Sequence, residues 1–141
     1  MPLPFRYSGP KLHRLLVATD FDAASDAAVE MGAALARDAS AFVHLLYVIQ
    51  APAPPGAGAN PKLPPEATCN MANAVRHLHE LGVESVTSSI EFGIPADVIV
   101  RHASSTKFDL LVLGGRGKGS TSKYVVMRVR IPVMVIPFRS T

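Results

Sequence analysis

The chain has little of what marks secreted, membrane or nucleic-acid proteins. Its 141 residues include one cysteine, Cys69, so no disulfide can close within it, and that thiol is expected to be a spectator on a helix. No secretory leader and no long apolar span is visible, which makes the cytoplasm the expected location and a membrane an unexpected partner. The formal charge of +3 and the pI near 9.3 are mildly basic. Its lysines and arginines are scattered, however, with no run and no interleaved aromatic residues, so no nucleic-acid partner is expected. Catalytic sets are missing as well. Ser25, Ser104 and Ser105 lack the strand-turn-helix setting of a hydrolase nucleophile. His77 and His79 stand two apart on an expected helix and point to different faces, a poor metal pair, while His44 and His102 are expected at helix or strand surfaces. Neither a metal site nor an enzyme with its own positioned base is expected.

What the chain does have is glycine in one telling place. Leu111-Val112-Leu113 runs into Gly114-Gly115-Arg116-Gly117-Lys118-Gly119-Ser120-Thr121, an apolar strand followed by glycines, two cations and two hydroxyls. Glycines let a backbone approach a ligand closely, and successive free N–H groups at the start of a helix carry partial positive charge, so a bound anion is one reading. A plain turn is the other. Two familiar phosphate motifs are excluded. Gly114 and Gly119 have the glycine spacing of a Walker A loop, but Ser120 stands where that motif needs lysine; the dinucleotide fingerprint lacks its third glycine and the acid about 20 residues beyond.

Five short runs read as strands: Leu15 to Thr19, Phe42 to Ile49, Val83 to Ile90, Leu110 to Leu113 and Val133 to Ile136. Near-continuous apolar stretches such as Leu45 to Ile49 suit strands covered on both faces. Between them lie helical patterns. Asp22 is placed to cap a first helix to Asp38, with Ala24, Ala27, Ala28, Met31, Ala34 and Leu35 inward. A second spans Glu66 to Leu81 on Met71, Ala74, Val75 and Leu78, ended by Gly82. A third opens at Pro95 with Val98, Ile99 and Ala103 inward, and a fourth runs from Ser120 to about Arg130. Alternating strands and helices predict an α/β fold with a doubly wound parallel sheet. Residues 1–10 read as an N-terminal arm and 11–141 as a single α/β domain. Within that domain Ala51 to Pro65, with six prolines and three residues of glycine or asparagine, reads as an irregular loop on the ligand-facing rim.

In order and together, several segments resemble the universal stress proteins of the UspA type. They are Leu15 to Ser25, Val43 to Val48, Gly93-Ile94-Pro95-Ala96, Phe108 to Gly114, Gly119 to Val126 and Pro132 to Ile136. The resemblance implies a five-stranded sheet of order 3-2-1-4-5 with helices on both faces, and an adenine nucleotide (ATP, ADP or AMP, with or without magnesium) between the first and fourth strands. Carried over by position, Asp20 would face ribose and base and Val48 would border the base. Gly114, Gly117, Gly119 and Ser120 would line the phosphates, joined by Thr121 and by charge-assisted contacts from Arg116 or Lys118. The family pattern has nine residues between its second and third glycines, where this chain has Lys118 alone; with nine residues after Gly117 the third glycine position would fall on Met127. So short a loop suits one or two phosphates, or weak ATP binding, and leaves open a second reading, a dimeric scaffold without nucleotide. Val133, Met134, Val135 and Ile136 would form an apolar edge strand at which two copies pair, bracketed by Pro132 and Pro137.

Overall fold

The five apolar runs become five parallel strands, each but the last followed by a helix. In chain order the elements are β1 (Arg14–Thr19), α1 (Ala23–Ala39), β2 (Phe42–Gln50), α2 (Pro65–Glu80), β3 (Val86–Gly93), α3 (Pro95–Ser105), β4 (Leu110–Gly115), α4 (Ser120–Arg128) and β5 (Val133–Pro137). The structure, a computed structural model, describes residues 11–20, 23–50, 63–105, 108–115 and 120–137. The expected arm, the cap at Asp22 and most of the proline-rich loop lie outside the described residues.

The sheet has the order β3-β2-β1-β4-β5, so the doubly wound topology holds. β1 is its centre, in register with β2 from Arg14↔Phe42 to Thr19↔Tyr47 and with β4 from Leu15↔Leu110 to Ala18↔Leu113. Side chains alternate across a strand, so each residue of β1 is committed to one of two cores. Leu15 and Val17, with Val43, Leu45, Leu110 and Val112, pack under α1 and α2. Leu16 and Ala18, with Leu46, Leu111 and Leu113, pack under α3 and α4. Leu15, Leu16 and Val17 are wholly inaccessible, as expected of a strand covered on both sides. The start of β4 is pinned to the start of β1 by Asp109, whose Oδ2 accepts the backbone N–H groups of His13 at 2.8 Å and Arg14 at 2.9 Å.

Four expectations need correction. Met31 is not inward but 40 % exposed; the buried face of α1 is Ala28, Val29, Ala33 and Ala36. Helix α1 presses so closely on the sheet that a Cβ at Gly32 would stand 2.8 Å from Val17 Cγ2, and such a seam has room only for small side chains. Second, β3 begins at Val86 rather than Val83. Gly82, at φ +100°, closes α2 by donating its N–H to the His79 carbonyl, and the Val83 N–H returns to Leu78 O, so Val83 is buried by the helix end and not by a ladder. Third, Pro65 belongs to α2 and not to the loop, at a position where a missing N–H costs nothing. Helix α4 also stops at Arg128, two residues early.

Candidate functional site

β1 and β4 are neighbours, yet the chain leaves them toward opposite sides. After β1 it passes into α1 on one face of the sheet, and after β4 into α4, whose Val125 is buried in the core of the other face. In open α/β sheets such a divergence leaves a crevice at the carboxyl ends of the two strands, where ligands are received.

Asp20 stands at the mouth of this crevice, one residue past β1. Its carboxylate is held in place: the Ser25 hydroxyl donates to Asp20 Oδ1 at 2.7 Å, and the Asp20 N–H donates to the same Oγ at 3.2 Å. Ser25 is 7 % exposed; it and Thr19 are the buried polar residues among those described. Both flank the end of β1. Buried polar groups are costly unless satisfied, and here Ser25 serves to orient an exposed carboxylate. Ser25 is the residue that sequence reasoning missed, having been weighed only as a nucleophile; its signal is the five-residue step from a strand-end aspartate into the first turn of the next helix.

On the opposite wall β4 ends in Gly114 and Gly115. α4 then begins at Ser120, with Thr121 half-buried in its first turn. The first turns of α1, α2 and α3 each carry an acid (Asp26, Glu66 and Asp97), whereas that of α4 carries none. Its positive end is therefore not offset by its own sequence. Arg116, Gly117, Lys118 and Gly119 lie outside the described residues. Val48 is 6 % exposed and packs with Leu46 and Ile99 in the core under α3, so its side chain is committed to the fold. The crevice thus pairs a fixed carboxylate, suited to accept hydroxyl donors, with an acid-free helix start suited to an anion.

The sequence profile of the universal stress protein family matches residues 11–137. The chain belongs to that family. Solved members share its fold. One is the universal stress protein UspA of Lactobacillus plantarum, 26% identical, with 91% of this chain and 99% of that one covered at a TM-score of 0.75. Another is the universal stress protein of Archaeoglobus fulgidus in complex with dAMP, 21% identical over 90% of this chain and 99% of that one, TM-score 0.70. A third is a family protein of Arabidopsis thaliana with AMP bound, 24% identical over 91% and 93%, TM-score 0.64. None of the curated proteins matches the chain.

Two other features were sought by sequence or missed by it. A groove of about 400 Å³ lies between α1 and α2, lined by Asp26, Glu30, Asn70, Asn73 and His77 among others; it contains none of the expected nucleotide residues. His44 and His102, expected at helix or strand surfaces, are stacked on each other between β2 and α3. They lie 58 positions apart, and only the β2-β3-α3 arrangement brings them together. No described helix is long and apolar enough to cross a membrane.

Proposed function

We propose that this chain binds an adenine nucleotide in the crevice between β1 and β4 and works as a homodimeric regulator in the cytoplasm. The observation that carries this reading is the Asp20 carboxylate, clamped by Ser25 across from an acid-free helix start. An anionic carboxylate repels phosphate but accepts a ribose hydroxyl, so Asp20 takes the nucleoside end and the start of α4 takes the phosphates. The family members that hold dAMP and AMP support a ligand of that class. With Lys118 alone between Gly117 and Gly119, a mono- or diphosphate fits the loop better than a triphosphate. No carboxylate is assigned to the phosphate end, so a magnesium ion would arrive with the nucleotide and be held by its phosphates. We assign the chain no catalytic step.

Titration calorimetry of the full chain with AMP, ADP and ATP tests this. AMP and ADP should bind at least as tightly as ATP, and Asp20→Ala should weaken AMP about tenfold or more, the worth of one hydrogen bond to a charged group. An unchanged affinity would remove Asp20 from the site. No heat with any of the three nucleotides, in folded protein, leaves the second reading that the short loop favours, a dimeric scaffold that binds partners and no nucleotide.

A further inference from the structure

Under the second half of α3 the core stops being apolar. His44 of β2 lies half-buried beneath His102 of α3, ring centroids 5.9 Å apart and planes within 16° of parallel, with Phe108 at 6.1 Å beside it. Both nitrogens of His44 meet hydroxyls of β3, Nδ1 with Thr87 Oγ1 at 2.6 Å and Nε2 with Ser89 Oγ at 2.9 Å. The ladder puts them there: Thr87 is directly opposite His44, and Ser89 is the next residue on the same face. His102 in turn contacts the Glu91 carboxylate, which also accepts from Arg101 at 2.5 Å. His44 of β2 and Glu91 of β3 thereby grip two side chains of α3.

The charges around this grip are unequal. Facing His44 are Arg14 of β1, its guanidinium 5.0 Å from the Phe42 ring and 5.7 Å from that of Phe108, then Glu91 of β3, and Arg101 and His102 of α3. Asp109 is turned to the backbone of His13 and Arg14. One carboxylate, Glu91, therefore serves an arginine and a histidine already. A proton on His102 has Glu91 as its counter-charge. A proton on His44 meets the hydroxyls of Thr87 and Ser89, with His102 and Arg14 opposing it and Glu91 favouring it. Burial first, then those two neighbours, holds the His44 imidazole below its ordinary value of 6.5, with Glu91 pulling the other way. A folded value below the unfolded one means that the unfolded chain takes up the proton first. The contribution to stability is then full above about pH 6.5 and is lost as pH falls from there through the lower, folded value.

We propose that the His44–His102 stack is an acid-sensitive latch: at neutral pH it holds the second half of α3 against β2 and β3, and a second proton on the pair releases that contact. Stacked imidazoles attract as neutral rings, or as one ring and one cation; as two cations at this spacing they repel. Since α4 packs on α3, the latch sits one layer from the helix that begins at the crevice.

Amide hydrogen exchange on the full chain at about pH 7.5 and about pH 5.5, corrected for intrinsic rates, reads the latch without any nucleotide. Amides of 98–105 should lose severalfold, up to about tenfold, of their protection at the lower pH while those of β1 and β4 hold. In His44→Gln, whose amide can still serve Thr87 and Ser89 but does not titrate, the loss should shrink to about twofold or less. Equal protection of α3 at both pH values in the wild type, or the same loss in the variant, overturns the proposal. Ring-proton NMR of the wild type is a second reading that survives a misfolded variant. There, a His44 ring titrating at or above the ordinary imidazole value also overturns it. These outcomes are independent of nucleotide, so failure of the latch and failure of nucleotide binding are distinguishable.

Discussion

The two faces of this sheet are cut from the same strands, one residue out of step, and differ in chemistry. Leu15, Val17, Val43 and Leu45 meet α1 and α2 across a dry layer in which small helix residues set the spacing. Leu16, Leu46 and Leu111 meet α3 and α4 across a layer that is apolar near β4 and turns to histidine, carboxylate and guanidinium near β3. The strand alternation thus separates two tasks. One face supplies stability from apolar packing, and the other carries His44, an imidazole that burial holds below its ordinary value.

Leu45→Ala gives the widest test of that separation. Leu45 is wholly buried on the dry face, and its loss should cost about 2–5 kcal/mol in urea unfolding. The cost should be the same at about pH 7.5 and about pH 5.5, because Leu45 belongs to the apolar cluster under α1 and α2, on the face opposite His44. A penalty that grew on acidification would show the two faces to be coupled.

A smaller loss, about 1–3 kcal/mol, is expected for Gly32→Ala. The new methyl would sit 2.8 Å from Val17 Cγ2, and helix and strand backbones would have to part to admit it. Val17→Ala in the same chain removes the obstructing methyls. The double variant should therefore be more stable than the sum of the single losses predicts, with a coupling of about 0.5 kcal/mol or more. Strict additivity would mean that α1 can ride up on the sheet without strain, and that the seam is looser than its geometry suggests.

Most of this architecture is legible in the residues, for reasons the faces make plain. β1 and β4 are buried on both sides, so their sequences are continuous apolar runs and mark themselves. Pro95 at a helix start and Gly82 at a helix end are positions at which backbone chemistry permits few alternatives. The phase of α1 was misjudged at Met31 because an alanine-rich helix offers several apolar stripes, and only contact with Val17 selects among them. Val83 is apolar and buried like a strand residue but owes its burial to a helix end. Side-chain pairs are the least visible. The Ser25 clamp on Asp20 needs the turn between β1 and α1, and the His44–His102 stack needs three elements in place. The glycine-rich segment suggests an anion site or a plain turn by composition. Of that segment, the described residues contribute the strand end at Gly114 and Gly115 and the helix start at Ser120.

The smallest effect on folding, and the sharpest on assembly, belongs to the sheet's two edges, which repeat the contrast between the faces. β3 presents Ser88, whose hydroxyl water can satisfy, between Thr87 and Ser89, which hold His44, whereas β5 is Val-Met-Val-Ile-Pro with Val135 37 % exposed. An open apolar edge is a template for another chain, and an edge of hydroxyls is a poorer one. Val135→Lys should leave the unfolding free energy of the subunit within about 0.5 kcal/mol, because the side chain already meets solvent. By light scattering it should convert the proposed dimer to monomer. Ser88→Lys, an equal charge on the other edge, should leave the dimer intact. If Ser88→Lys yields monomers and Val135→Lys does not, the copies meet along β3. Pairing there would extend the ladder beside Thr87 and Ser89 and bring the histidine stack within reach of the neighbouring subunit, so that acid would act on assembly as well as on α3.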